Sequence, residues 1–381
     1  MSTALAPLAV YIHWPYCKRI CPYCDFNVYK HKRDVELLGA IKADLSAWAS
    51  LSGPREIISV HFGGGTPSLM PPHYIEQIIE TVEGLWGLGG ESEIAIEANP
   101  SDSDRARWEA YRAAGINRFS LGIQSFDDGV LKRLGRDHNG AQARSALEQA
   151  MAIFPSVSAD MIFGHAGQSL AQWETEIDML LALAPHHISA YQLTVEAGTA
   201  FAKAEARGET RAVDSDSSAD LYQQVCRQLS EAGYQAYEVS NHAQEGHYSR
   251  HNLAYWEGLD YAGVGPGAHG RLTQFGVRYA SVAAARPEAY CESVNSTGNG
   301  IEHREAMTAA DVASEYVMMG LRIEQGISLG RYSRISGAPL PPEPLRQLTD
   351  MGLITQQGDS LFATAEGRLV LNTVSAKLLG A

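Results

Sequence analysis

The chain has 381 residues, 45% of them hydrophobic and 19% charged, which is enough apolar material for one large core and a smaller second one. A formal net charge of −14 argues against phosphate backbones as the main partner, and the longest basic run is Lys30-His31-Lys32-Arg33. Residues 1–6 carry no basic targeting region, and no stretch approaches the roughly 18 uninterrupted apolar residues of a membrane span, so a cytoplasmic chain is expected.

In chain order, β-rich runs at 8–12, 57–62, 93–97, 118–123, 158–163 and 187–194 alternate with helical patterns. Helices are expected at about 33–51, 74–82, 141–154, 171–183 and 217–232. In the second of these, Ile75, Ile78, Ile79 and Val82 share one face. Strands separated by helices imply a parallel sheet with right-handed crossovers. Six such units are too few for a closed eight-fold barrel. The expected class is therefore α/β, an open, partial (β/α)6 TIM-like barrel.

Polar and glycine clusters follow the carboxyl ends of these strands: Gly63-Gly64-Gly65-Thr66-Pro67, Ala98-Asn99-Pro100, Gln124-Ser125 and Gly164-His165. That rim is where parallel α/β folds bind ligands. From 238 to 271 the pattern turns irregular and reads as a long loop or extension. A second unit starts near Met307 with a helix placing Val312, Tyr316, Met319 and Ile323 on one face. A Pro-rich break over 337–344, a short helix, a hairpin around Gly358-Asp359 and a last helix ending near Leu379 make this unit winged-helix-like. Seven Lys/Arg against nine Asp/Glu in 301–381 argue against DNA binding. Three parts are expected: a core at 1–237, an extension at 238–300 and a C-terminal unit at 301–381.

Three of the five cysteines crowd together as Cys17-x3-Cys21-x2-Cys24, directly after the first strand. A [4Fe–4S] cluster is normally held by four thiolates, and three on one loop leave one iron open to a small molecule. Zinc is the rival, but a structural zinc site needs four protein ligands, and no second CxxC follows, although His13 is near. A redox pair would use two cysteines. Cys226, on a helical stripe with Leu221, Val225 and Leu229, and Cys291 read as small buried hydrophobes. The triple glycine lacks phosphate-loop spacing, yet its bare backbone can approach a ligand closely, so an amino-acid head group is plausible there.

Tyr11-Ile-His-Trp-Pro-Tyr-Cys17, Cys21-Pro-Tyr-Cys24-Asp-Phe26-Asn27 and His61-Phe-Gly-Gly-Gly-Thr-Pro67 closely resemble the radical S-adenosylmethionine (SAM) proteins of the coproporphyrinogen-dehydrogenase-like group. The resemblance continues through Ile96-Glu97-Ala-Asn-Pro100, Gly122-Ile-Gln124-Ser-Phe126, Asp160-Met-Ile-Phe-Gly164, Tyr237-Glu-Val-Ser-Asn241 and Glu315-Tyr-Val-Met-Met-Gly-Leu-Arg322. It implies that Cys17, Cys21 and Cys24 hold the cluster and that SAM chelates the open iron. It further implies that Tyr11, Gly64, Gly65, Thr66, Glu97, Gln124, Arg136, Asp160 and Gln192 line the SAM pocket.

Within this group, the oxygen-independent dehydrogenases usually place a fourth cysteine two positions after the third, where this chain has Phe26. The heme-chaperone (HemW-type) branch carries phenylalanine there. That branch also has an HNxxYW motif, present as His251-Asn252-Leu253-Ala254-Tyr255-Trp256. An imidazole suits heme iron, and flanking aromatics suit a flat macrocycle. The resemblance therefore implies heme contact at His251, Tyr255 and Trp256, with His242, His247 and His269 as nearby second-ligand candidates. The partners implied are heme and an apo-hemoprotein acceptor, a respiratory one among the candidates, with a homodimer left open. The competing reading is a radical SAM enzyme, either a coproporphyrinogen III dehydrogenase or a related methyltransferase or cyclopropanase. One departure is Gly164-His165-Ala166, where the family usually has Gly-Leu-Pro; it puts a histidine at the expected active rim.

Overall fold

Near-continuous apolar runs of the kind buried on both faces of parallel sheets begin with β1 (Pro7–Trp14), whose Leu8, Ala9, Val10 and Ile12 are wholly buried. The computed structural model describes residues 5–30 and 35–380. Residues 31–33 of the basic run and the first residues of the helix expected from 33 lie outside the described residues. Five more strands follow in parallel, each paired with its predecessor: β2 (Glu56–Gly64), β3 (Leu88–Ala98), β4 (Arg118–Gln124), β5 (Ser156–Phe163) and β6 (His187–Gln192). The crossovers run through α1 (Val35–Ser52), α2 (Pro72–Trp86), α3 (Arg105–Ala113), α4 (Asp128–Arg133), α5 (Gly140–Ile153) and α6 (Leu170–Leu181). Ile75, Ile78, Ile79 and Val82 are the buried face of α2. The open α/β architecture is as expected from the sequence.

After β6 come α7 (Ala200–Glu205) and α8 (Ser215–Glu231). Leu221, Val225 and Leu229 form the buried stripe of α8, but Cys226 stands beside it, half-buried rather than in the core.

The stretch expected to be irregular carries regular structure. β7 (Asn241–Ala243) pairs antiparallel with β6, and α9 (Arg250–Trp256) follows. Then β8 (Asp260–Val264) pairs in parallel with the free edge of β1 and so acts as a seventh parallel strand. Gly263 is a spacing device: a Cβ there would lie 1.8 Å from the His269 carbonyl oxygen. What reads as loop composition is room for the next strand to cross. β9 (His269–Gln274), β10 (Val277–Ala283) and, after α10 (Pro287–Thr297), β11 (Ile301–Ala306) continue the sheet in antiparallel fashion; with the two-residue strand Gln235–Ala236 on the outer side of β7 it has twelve strands. The large sheet thus runs through 301–306, past the boundary expected at 301.

A separate core begins with α11 (Ala309–Gly320). Its buried face is Ala313, Tyr316, Val317 and Gly320, about one residue round from the expected one, with Val312 and Met319 half-buried. Gly320 sets that rotation, because Ile327 packs where its Cβ would be. The rest is β12 (Ile327–Ser328), α12 (Leu329–Ser336), α13 (Pro342–Asp350), the hairpin β13 (Ile354–Gln357) and β14 (Ser360–Ala363), then α14 (Ala365–Leu369) and α15 (Leu371–Leu379). This is the winged-helix-like arrangement.

Candidate cofactor site

The carboxyl ends of the parallel strands open into a cavity of about 460 Å3. Cys17, Cys21 and Cys24 line it, together with Gly64, Gly65, Thr66, Glu97, Gln124, Arg136, Asp160 and Gln192. The strand-end logic brings most of these residues together: the cysteines follow β1, Gly64–Thr66 end and follow β2, Glu97, Gln124 and Gln192 lie at or near the ends of β3, β4 and β6, and Asp160 is on β5, whereas Arg136 comes from the turn after α4. Tyr11 is the exception and is not part of the wall. Its hydroxyl bonds His13 Nδ1 at 3.1 Å, and its ring stacks near His61 and His251.

The cysteine loop is tied to the sheet by hydrogen bonds at sulfur. Thr66 Oγ1 donates to Cys17 Sγ at 3.5 Å, and Arg136 Nη1 donates to Cys21 Sγ at 3.3 Å. Asn99, absent from the sequence assignment, links the two: its amide donates to Thr66 Oγ1 at 3.1 Å, and Arg136 donates to its carbonyl oxygen. Its placement two residues after Glu97, past the end of β3, was the available signal. Arg136 also donates to the Gly122 carbonyl, while its buried Nε has no protein partner. Burial pushes the Cys17 thiol up, and pushes Cys24 to about 11, so metal uptake would displace protons.

Among the described residues, no group of three or more His, Cys, Asp or Glu is gathered for a single metal ion. The three thiols share a loop and a cavity wall. That suits a polynuclear cluster, in which each thiolate binds a different iron, better than a tetrahedral zinc. The residues present fit an iron–sulfur cluster.

The glycines also make room for the neighbouring segment. A Cβ on Gly64 (φ +105°) would meet the His13 ring at 2.6 Å, and one on Gly65 would meet the Tyr16 and Trp14 carbonyls at 2.8 and 2.9 Å. The space they free is occupied by the cysteine-bearing segment itself, and their backbones face the cavity. Gln124 adopts φ 68°, an uncommon conformation for a residue with a side chain, at an irregularity in β4.

The polar groups deeper in the cavity are held firmly. His61 Nε2 lies 3.0 Å from Glu97 Oε1, leaving the rest of that half-exposed carboxylate toward the cavity. Asp160 accepts from Ser120 Oγ at 2.9 Å, and burial pushes its carboxyl up to about 6, against hydrogen bonds from Ser189 and Ser120.

The HNxxYW motif forms α9, beneath this layer. Glu93 accepts from Ser249 Oγ, the Arg250 amide and the His251 amide at 3.4, 3.1 and 3.1 Å, and faces Arg118 at 3.6 Å. His251 is buried, its ring stacked on His61 at 4.2 Å and met edge-on by Tyr255 at 4.7 Å. Burial holds it neutral, well below the usual histidine value. Trp256 packs under the Arg322 guanidinium at 4.6 Å. The structure does not bring the motif to the cavity wall. His242 is buried in β7, His247 stacks on His186 and His269 is exposed in β9. His165 is turned into a small recess with Arg133, Phe201 and Arg211, away from the cofactor cavity.

An open parallel barrel with three cysteines on the loop after its first strand defines a radical SAM protein. The radical SAM superfamily model matches residues 11–180, and the HemN C-terminal domain model matches 307–370. Heme chaperone HemW of Escherichia coli is 33% identical, over 97% of this chain and 97% of its own length. The Bacillus subtilis protein of the same name is 31% identical, over 98% and 99%. Radical S-adenosyl methionine domain-containing protein 1, mitochondrial, of Bos taurus is 35% identical, over 97% and 87%. The solved structure of Escherichia coli coproporphyrinogen III oxidase (HemN) superposes with a TM-score of 0.81 at 22% identity, covering 98% of this chain and 90% of that one, a likeness of fold. The chain belongs to the radical SAM superfamily and, within it, to the HemW-type family. Among the described residues, no helix is long and apolar enough to cross a membrane.

Proposed function

We propose that the chain is a heme carrier that holds a [4Fe–4S] cluster on Cys17, Cys21 and Cys24 together with SAM, and delivers heme to an apo-hemoprotein. Two observations carry the choice of carrier over dehydrogenase: relatives named heme chaperones match end to end, and Phe26 stands where a dehydrogenase would have its fourth cysteine. Phe26 is 64% exposed at the cavity mouth, an apolar rim instead of a thiol. Five free cysteines suit a reducing, cytoplasmic compartment.

In this reading the Gly64–Thr66 backbone and Arg136 orient the methionyl end of SAM, and Gln124 and Gln192 supply amide hydrogen bonds. Glu97, braced by His61, and Asp160 take the ammonium and ribose hydroxyls, which are costly to bury unpaired. When bound, the cluster supplies an electron and a chelating iron. Tyr11 acts from below by fixing His13. Ligation of heme by His251 requires its ring, buried against His61 and Tyr255, to become exposed. The domain division that suits this reading places the core up to 306 and the C-terminal unit from 307.

The complete SAM cavity favours a second reading, a radical SAM enzyme. Anaerobically reconstituted chain separates the two. The carrier binds heme in a 1:1 ratio and releases no 5′-deoxyadenosine with coproporphyrinogen III. Multiple-turnover decarboxylation of that substrate would sink the carrier reading.

A further inference from the structure

A second cavity, of about 580 Å3, lies between the start of β1, the turn into β8 and the helices α11 and α12. It shares no lining residue with the cofactor cavity and sits at the amino-terminal ends of β1 and β8. Its volume is within the roughly 300–1,000 Å3 range of small-molecule sites.

The charge here runs against that of the whole chain. Four arginines, Arg55, Arg278, Arg331 and Arg334, line the cleft with two carboxylates, Asp260 and Glu315. Asp260 is taken by Arg55 and Arg278 at 3.0 and 3.2 Å, and Glu315 by Arg271 and Arg278 at 2.9 and 3.5 Å. Arg331 lies over the Tyr316 ring at 4.6 Å, within the field of Glu257. Arg334 is exposed, and Asp359, whose field it shares, is engaged by the Ser328 hydroxyl and the Gly330 amide. Among the described residues, neither Arg331 nor Arg334 makes an ion pair in the cleft. Val277, Met307, Val312 and Ile335 supply an apolar wall.

Two guanidinium forks that make no ion pair among the described residues, beside an apolar wall, suit a ligand with an apolar body and two carboxylates at one edge. A chain with a net charge of −14 repels such a dianion except where cations are in local excess. We propose that this cleft seats heme, its propionates on Arg331 and Arg334 and its macrocycle against the apolar wall. The proposal rests on the heme-carrier reading and gives that cargo a place. The HNxxYW motif shapes the cleft from behind: α9 ends at Trp256, Gly258-Leu259-Asp260 form one wall, and Tyr255 meets Tyr261 edge-on at 4.5 Å. No histidine is among the lining residues, so heme would be gripped at its carboxylates and faces without a strong axial bond, which suits release to an acceptor.

The test is absorbance titration of the full chain with hemin and with hemin dimethyl ester, which has no carboxylates. Wild-type chain is expected to bind hemin about tenfold or more tightly than the ester. The exposed Arg334→Glu, and the Arg331→Glu/Arg334→Glu pair, should weaken hemin by about tenfold or more, leave the ester unchanged and retain the thermal melt. His251→Ala should alter hemin affinity less than the Arg pair does. Unchanged hemin affinity in both arginine variants, with loss in His251→Ala, would overturn the cleft while leaving the carrier reading standing. Wild-type chain that binds no hemin would overturn both.

Discussion

Asp160 is a carboxyl buried between serine hydroxyls, and its environment makes a signed prediction. With a folded value of about 6 against an ordinary 3.8, the folded chain keeps a proton between those values that the unfolded chain has lost. Stability therefore falls as pH rises through that window, and the full penalty stands above pH 6. Asp160→Asn should stabilise the ligand-free chain at pH 7.5 by roughly 1–3 kcal/mol, with the gain vanishing below about pH 4, and should weaken SAM binding. Thermal melts across pH with a parallel SAM titration check both halves; an unchanged melt at pH 7.5 would contradict the buried-carboxylate account. At the cluster loop, Cys24→Ala should abolish bound iron and sulfide after reconstitution, with the melt of the ligand-free chain shifted by no more than about 2 °C, because the half-buried side chain packs little. Iron retained at wild-type level would remove Cys24 from the ligand set. The cysteine spacing was legible from sequence because it is local. The work of Gly64 and Gly65 was not, because their neighbours, His13 and the Trp14 and Tyr16 carbonyls, are about fifty positions away.

Among elements, the six core strands were readable because each is a short apolar run followed by a polar cluster, a pattern that survives without long-range information. α3, α4 and α7 were missed because they are only nine, six and six residues long and bury only two residues each. β8 was missed because Gly263 and two flanking turns disguise a strand whose register depends on β1. α9 depends on a distant partner as well: Glu93 accepts three donors at its start, and Arg118 stands behind Glu93. Glu93→Ala leaves Arg118 without its carboxylate and should cost about 2–4 kcal/mol. Amide hydrogen exchange over 249–257 should accelerate ahead of the sheet, because that helix would open locally. Uniform exchange across the chain would show that Glu93 supports the whole core and not this helix.

At the scale of the molecule, two ligand-sized cavities sit at opposite ends of the parallel strands, one lined by cysteines and amides, the other by arginines. Glu315 helps lock the C-terminal unit to the sheet through Arg271 and Arg278. Glu315→Gln should loosen that junction by about 1–3 kcal/mol and, by removing one carboxylate from the cleft lining while Arg278 stays on Asp260, strengthen the affinity of the cleft for dicarboxylates. A melt that separates into two steps, with tighter hemin binding, is the expected record; weaker hemin binding would contradict it. The chain's acidity was legible at once, whereas the basic cleft was hidden, because its arginines lie at 55, 278, 331 and 334 and only folding gathers them.

The central claim is that the cargo is heme and that it leaves the protein. Hemin-loaded, anaerobically reconstituted chain is mixed with an apo-hemoprotein, the two are separated by size, and the Soret absorbance of each fraction is read. The account predicts that close to one heme per chain moves to the acceptor, with the cluster retained by the donor. Heme that stays with the chain at saturating acceptor would contradict it.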